Sequence, residues 1–192
     1  CQTPALVLAD GSVLTEITAI CEYLDETIPD PPLRPEGAYD RATMRNWIRH
    51  VDGLIGNLII FNWVHSLAKT AAQWSDEELA ERLKKIPSKE RQEAWIRAAR
   101  RPYTEEERAA ARARLVELLD RMEAAMDPSG WLVGGRYSIA DIACYPAIAN
   151  HERHKVDMAD YPNVKRWFEA IKARPAVQRA YEKGDAIRKA AG

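Results

Sequence analysis

Residues 10–24 read Asp-Gly-Ser-Val-Leu-Thr-Glu-Ile-Thr-Ala-Ile-Cys-Glu-Tyr-Leu, and this stretch decides the fold. Asp10-Gly11 is a strong signal for a two-residue hairpin turn. It lies between two short β-prone segments, residues 5–8 and 12–14. From Thr15 onward the apolar residues recur at helical spacing, at Ile17, Ile20, Cys21 and Leu24. The stretch therefore predicts a strand–turn–strand unit that runs directly into a helix.

The start of this helix is a candidate anion site. Unpaired N–H groups and the positive end of the helix dipole favour an anion there. Glu16 and two threonines accompany Ile17, which stands where a hydroxyl would help. A two-stranded hairpin with one helix is not a stable domain by itself. Because the chain opens inside a strand-like pattern, we expect an N-terminal part to precede Cys1.

The rest of the sequence predicts an all-α region. Four prolines between Thr27 and Pro35 end the first helix and indicate a linker. We therefore expect a partial ββα unit over residues 1–28, a linker over 29–37 and an all-α domain over 38–192, which is an α+β chain. Ser138 and Asp141 have the spacing of a capping box, which favours a helix-nucleating role for Asp141 over that of a functional buried acid.

Composition excludes several classes of function. The chain has 192 residues, a net charge of −1 and three cysteines. There is no basic stripe for nucleic acid and no apolar run of the roughly 18 residues that a membrane span needs. An odd number of cysteines without a CxxC motif indicates a reducing compartment, so we expect a cytoplasmic protein. The four histidines form no ligand cluster, so no metal site is expected.

Four short motifs, in this order and spacing, resemble the glutathione S-transferase superfamily over the whole chain. They are Gln2-Thr3-Pro4-Ala5-Leu6, the stretch from Asp10 to Leu24, the stretch from Leu132 to Ala143, and Tyr161-Pro162-Asn163-Val164 through Arg174-Pro175-Ala176-Val177. The resemblance implies a partial thioredoxin-like unit followed by the helical domain of that superfamily. It also implies glutathione as co-substrate and a homodimer.

The resemblance assigns a glutathione site to five residues. The backbone of Thr3 would pair with glutathione beside a cis Pro4, and Glu16 would meet the γ-glutamyl ammonium. Ile17 replaces the family's serine, so the backbone N–H and the helix dipole would hold the γ-glutamyl carboxylate unless binding is lost altogether. Thr15 or Thr18 could partly replace the missing hydroxyl. The alternative role of Ile17 is that of a buried core residue in one apolar stripe with Ile20 and Leu24. Asp52 would reach the γ-glutamyl group of the partner subunit; a solvated helix acid is the alternative.

Further features are similar to the bacterial β-etherases, glutathione-dependent enzymes that cleave aryl ethers. They are Leu33-Arg34-Pro35, Arg41-Ala42, Met44-Arg45, Val51-Asp52, the Ser75 helix start, the basic stretch around Trp95 and the long insertion at 70–103. The implied activity is conjugation of glutathione to a hydrophobic, aromatic electrophile.

The resemblance places the second substrate against Phe61, Trp63 and His65, for which packing between helices is the alternative role. The catalytic hydroxyl or thiol is expected upstream of Cys1. Two rival hypotheses are a non-catalytic binding or dimerisation module and an isomerase or dehalogenase of the same fold.

Overall fold

The computed structural model describes residues 4–58, 60, 68–149 and 151–190, and it opens with a small hairpin. Strands β1 (Ala5–Val7) and β2 (Val13–Thr15) are antiparallel, with Leu6 opposite Leu14. The turn differs from the predicted two-residue loop. Gly11 N–H donates to Leu8 O and Leu8 N–H donates to Ser12 O, and Gly11 has φ +85°. This is a three-residue loop whose last residue is in the left-handed region, a conformation that glycine adopts without strain.

The described chain is otherwise helical. Its α-helices are α1 (Ile17–Thr27), α2 (Ala38–Asp52), α3 (Ile55–Leu58), α4 (Ala68–Ala71), α5 (Asp76–Lys84), α6 (Lys89–Arg100), α7 (Glu105–Ala125), α8 (Ile139–Ile148), α9 (Pro162–Lys172) and α10 (Pro175–Ala190). A 3₁₀ turn at His151–His154 follows α8. The predicted fold class, a partial ββα unit followed by a helical domain, is confirmed.

Local sequence signals explain where several helices begin. Ser75 and Thr104 cap α5 and α7 in reciprocal capping boxes with Glu78 and Glu107. Helix α7 also has three glutamates in its first turn, which the helix dipole favours. Proline in the first turn of α9 supplies a preset φ angle and needs no N–H partner there.

The main core lies between α2, α7, α8 and α9. Its fully buried side chains include Met44, Ile48, Leu118, Leu119, Met122, Cys144, Ile148, Val164 and Trp167. Asp141 is completely buried within it and accepts hydrogen bonds from Trp167 Nε1 (2.7 Å), Ser138 N–H (2.8 Å) and Leu132 N–H (3.2 Å). The predicted capping role of Asp141 is confirmed, and its carboxylate also ties α8 to α9.

The ββα unit contributes little to this core. In α1 only Asp25 is buried. Ile17 and Leu24 are 47% and 40% exposed, and Cys21 is partly buried and packs against the core. The apolar stripe predicted for α1 therefore does not form a buried face, since two short strands cannot cover a helix. Asp25 instead accepts the N–H of Leu33 in the proline-rich segment, which fixes α1 to the start of the helical region.

No helix among residues 4–58, 60, 68–149 and 151–190 is both long and apolar enough to cross a membrane.

Candidate functional site

The start of α1 carries a strained residue. Glu16 is the N-cap of α1 and has φ +72° and ψ 123°, a backbone conformation that residues with a Cβ rarely adopt. Its carbonyl accepts the Ile20 N–H at 3.0 Å, so the first helical turn fixes it. The Glu16 side chain is exposed, and within the described part of the chain no residue hydrogen-bonds to it. Such strain costs on the order of 1–3 kcal/mol and typically persists where it serves a function.

The same helix start has no side-chain cap. Neither Glu16 nor any other described side chain accepts a hydrogen bond from the first turn of α1. The N–H groups of Ile17, Thr18 and Ala19 lack partners within the helix, as in the first turn of any α-helix. An exposed carboxylate next to uncapped N–H groups can bind an ammonium and a carboxylate side by side, which is the head group of an α-amino acid.

Ile17 borders a narrow apolar cleft between α1, α2 and α8. The cleft encloses about 230 Å³, and its walls include Ile17, Thr18 and Cys21 from α1. Ile48, Val51 and Asp52 of α2 and Ile142, Pro146 and Ala147 of α8 complete most of the lining. This volume is below the roughly 300–1,000 Å³ of ordinary ligand pockets, so the cleft itself does not hold a molecule the size of a tripeptide.

Asp52 is the last residue of α2, and its side chain is exposed at the mouth of this cleft. The structure therefore brings two of the residues that the sequence singled out, Ile17 and Asp52, to one cleft of a single chain. The partner-subunit contact expected for Asp52 stays a prediction.

An ion pair positions α1 relative to α2. The Arg45 guanidinium donates to both oxygens of Glu22, from Nε at 2.8 Å and from Nη2 at 2.7 Å. This hydrogen bonding is the main reason why the pKa of Glu22 lies below its usual value. A two-pronged contact of this kind restricts rotation of α1 about its own axis, and it thereby fixes the direction of the uncapped helix start.

Among the residues of α1 that line the cleft, Cys21 was not singled out as a site residue from the sequence. Thr18 and Cys21 are half-buried, and they follow Ile17 at the i+1 and i+4 positions of α1. Burial raises the pKa of the Cys21 thiol, so the thiol stays protonated at neutral pH. Helical spacing from Ile17 is the signal that could have found Cys21.

The remaining candidates have different outcomes. Thr3, Phe61, Trp63 and His65 lie outside the described residues. The cis peptide bond expected between Thr3 and Pro4 therefore stays a prediction. Pro4 is exposed immediately before β1. Among the described residues, no group of three His, Cys, Asp or Glu side chains is placed to hold a metal ion.

Comparisons with known proteins identify the family of this chain. Residues 75–175 match the glutathione S-transferase C-terminal domain, and residues 1–27 match the N-terminal domain of the same family. Protein LigF of Sphingobium sp. is 35% identical, with the alignment covering 95% of this chain and 74% of LigF. The crystal structure of the β-etherase LigF matches with a TM-score of 0.80 over 91% of this chain and 75% of that chain, at 32% identity.

More distant relatives share the fold. Maleylacetoacetate isomerase of Rattus norvegicus is 28% identical over 92% of this chain, which spans 66% of that protein. A glutathione transferase homologue from Sulfitobacter, solved with bound glutathione, matches at a TM-score of 0.59 and 21% identity over 95% of this chain and 82% of that chain. Because the chain matches both domains of the family and is 35% identical to LigF, it belongs to the glutathione S-transferase family.

Proposed function

We propose that the protein joins glutathione to a hydrophobic, aromatic electrophile, and that the reaction is cleavage of a β-aryl ether. In this reaction the glutathione sulfur, as thiolate, attacks the carbon that carries the aryl ether oxygen. A C–S bond forms, the C–O bond breaks, and the aryloxide leaves with the bonding electrons and takes up a proton. The support for ether cleavage is the likeness to LigF, whose solved structure is named a β-etherase.

The observation that carries the glutathione proposal is the strained, exposed Glu16 at the uncapped start of α1. The γ-glutamyl end of glutathione is an α-amino acid head group with one ammonium and one carboxylate. Glu16 offers a carboxylate to the ammonium, and the first-turn N–H groups of α1 offer donors to the carboxylate. The Glu16 side chain is exposed, so its carboxylate is accessible to an ammonium group at the start of α1.

Ile17 changes how the carboxylate is held. A serine hydroxyl at this position would add one hydrogen bond to a charged group, worth about 1.5–3 kcal/mol. Without it, affinity falls by roughly 10- to 100-fold, but the backbone N–H groups and the helix dipole still favour the anion. Millimolar concentrations of glutathione would tolerate such a loss.

The other site residues complete the proposal. The backbone of Thr3 and a cis Pro4 would hold the cysteinyl part of glutathione, and Asp52 would contact the γ-glutamyl group across a homodimer interface. Phe61, Trp63 and His65 would form the wall for the aromatic substrate. We do not assign any residue of this chain to the stabilisation of the glutathione thiolate.

The proposal is tested with the intact protein and glutathione by isothermal titration calorimetry. Wild-type protein should bind glutathione in the millimolar range or tighter, and Glu16→Gln should bind at least about 10-fold more weakly, since one charge-assisted hydrogen bond is lost. A β-aryl ether should then yield one thioether and one phenol per glutathione consumed, measured by mass spectrometry. A glutathione concentration of about 20 mM is on the order of ten times a millimolar dissociation constant. If the protein bound no glutathione at this concentration, the proposal would be ruled out.

The second candidate function is glutathione-dependent isomerisation, which the 28% identity with the rat maleylacetoacetate isomerase favours. A cis–trans isomerase uses glutathione without consuming it. Incubation with a cis-configured dicarboxylic enone separates the two: isomerisation at constant glutathione concentration supports this candidate. Glutathione binding without either reaction would support a non-catalytic module.

A further inference from the structure

A second, larger groove lies on a different face of α8 from the cleft beside Ile17. It encloses about 640 Å³, within the range of pockets that bind small molecules. Tyr145 of α8 and Ala149, its C-cap residue, line the groove, whereas Ile142 and Pro146 of the same helix line the cleft. The 3₁₀ turn, α9 and α10 supply the other walls. Residues of the groove were not among the site candidates from the sequence.

Four rings form a continuous wall in this groove. Tyr145 stacks on Phe168 with ring centres 5.1 Å apart and an angle of 21°. His151 and Phe168 are T-shaped, with ring centres 5.7 Å apart and an angle of 87°, and so are Tyr181 and Tyr145, at 6.5 Å and 77°. Tyr145 and Phe168 are almost buried, but Tyr181 is 48% exposed. Tyr181 therefore leaves a ring surface on which a further aromatic group can pack.

His151 adds a hydrogen-bond acceptor of fixed direction. Its Nδ1 lies 3.0 Å from the carbonyl oxygen of Val156, and a carbonyl can only accept. Nδ1 therefore carries the proton, and Nε2 of the neutral ring is an acceptor. No described residue hydrogen-bonds to Nε2. The contact to Val156 and the packing on Phe168 hold the imidazole in place, which reduces the entropy lost when a ligand binds.

The charges at the rim select among aromatic ligands. Glu152 and Glu182 contribute two carboxylates, and Lys172 contributes one ammonium. An aromatic carboxylate would meet more negative than positive charge, and its oxygens could not donate to Nε2. A neutral ring with a hydroxyl group fits both the ring wall and the acceptor.

We propose that this groove is a binding site for a neutral phenol, whose ring packs on Tyr181 and Phe168 and whose hydroxyl donates to Nε2 of His151. The site is separate from the glutathione site at the start of α1. The proposal does not depend on the proposed reaction, and binding can be measured without turnover.

The probes are 4-fluorophenol and 4-fluoroanisole, followed by ¹⁹F NMR on the intact protein. The two molecules share the fluorinated ring, but methylation removes the hydroxyl proton from the anisole. We expect 4-fluorophenol to bind about 3- to 10-fold more tightly, the effect of one neutral hydrogen bond. Saturating glutathione should leave the affinity of the protein for 4-fluorophenol unchanged. Equal binding of the two probes, or displacement by glutathione, would overturn the proposal.

Two pairs of variants locate the site. His151→Phe keeps a ring against Phe168 but removes the acceptor, so it should abolish the preference for phenol over anisole. His50→Phe, on α2 and away from the groove, is its control. Tyr181→Ala should weaken both probes several-fold, whereas Tyr39→Ala, which removes an 82% exposed tyrosine on α2, should change neither. An unchanged preference in His151→Phe would show that Nε2 is not the acceptor and would refute the proposal.

Two further measurements keep the test independent of variant folding. In wild-type protein, long-range ¹H–¹⁵N spectra should show His151 protonated at Nδ1, and 4-fluorophenol should shift its Nε2 resonance. Titration with 4-fluorobenzylammonium addresses the two rim carboxylates. Tighter binding of this cation than of the phenol would identify a cation site and overturn the proposal.

Discussion

Ile17→Ser is the substitution that tests the proposed glutathione site most directly. It places a hydroxyl in the first turn of α1, beside the strained Glu16 and the uncapped N–H groups. We expect the serine hydroxyl to donate to the γ-glutamyl carboxylate. This bond would add to the contacts from the backbone and would not replace them.

The expected gain in affinity follows from one hydrogen bond to a charged group. Such a bond contributes about 1.5–3 kcal/mol, which corresponds to a roughly 10- to 100-fold lower dissociation constant. The cost in stability is small because Ile17 is already 47% exposed. Losing the remaining half of its apolar contact costs about 1 kcal/mol of the free energy of unfolding. Serine and isoleucine have similar helix propensities, so the helix itself should persist.

The assay is calorimetric titration with glutathione, with urea unfolding as a check on the fold. Ile20→Ser is the matched control because it makes the same exchange one turn later. The N–H of Ile20 already donates to Glu16 O, and the side chain is half-buried away from the helix start. The control should lose stability without gaining affinity. If folded Ile17→Ser bound glutathione no more tightly than wild type, the backbone N–H groups alone would carry the contact, and the reasoning that a hydroxyl at this position adds a hydrogen bond would be refuted.

Three further predictions concern other parts of the molecule. Glu16→Gly should raise the free energy of unfolding by about 1 kcal/mol, since glycine adopts φ +72° without strain, yet it should weaken glutathione binding in calorimetry. Asp141→Asn should lower the free energy of unfolding in urea by about 3 kcal/mol at pH 7. The Ser138 N–H now donates to the Asp141 carboxylate, and in the variant it would face the amide NH₂, which is also a donor. Burial and the Arg121 guanidinium 3.4 Å away lower the pKa of His50, so the unfolded chain binds more protons there. As the pH falls below about 6.5, wild type should therefore lose stability relative to His50→Gln, measured by urea unfolding at several pH values; parallel pH profiles would contradict this.

Local signals in the sequence predicted the secondary structure well. The helix starts at Ser75 and Ser138 depend on a cap and on an acid three residues later, and these residues lie within one turn. Such contacts need no knowledge of the rest of the fold. The same is true of β1 and β2, although the loop between them is one residue longer than the Asp10-Gly11 signal predicted.

Exposure was harder to predict because it depends on what packs against a helix. The spacing of Ile17, Ile20, Cys21 and Leu24 predicts an apolar face, and the face exists, but the two short strands leave it partly exposed. For Ile17 this overturns the reading as a buried core residue. Its position at the cleft mouth follows from the packing of α1 against α2, and no pattern within α1 specifies that.

The aromatic groove could not have been found from spacing. His151, Phe168 and Tyr181 belong to the 3₁₀ turn, α9 and α10, so their sequence separation obeys no helical period. Each residue by itself is compatible with ordinary core packing. Their common wall depends on how α9 is placed relative to α8, and the buried hydrogen bond from Trp167 Nε1 to Asp141 joins these two helices.

Helix α8 is the element that the two sites share, and this has a physical consequence. Its Ile142 and Pro146 border the cleft at the start of α1, and its Tyr145 borders the groove. Packed cores transmit displacements because they contain few voids, so a shift of α8 would move both walls together. Asp141 opposes such a shift, since its carboxylate binds the Ser138 and Leu132 backbone and the Trp167 indole at once. A ligand in either site would meet a wall that one buried carboxylate holds in place, so we expect binding in the groove and at α1 to be independent while this network is intact.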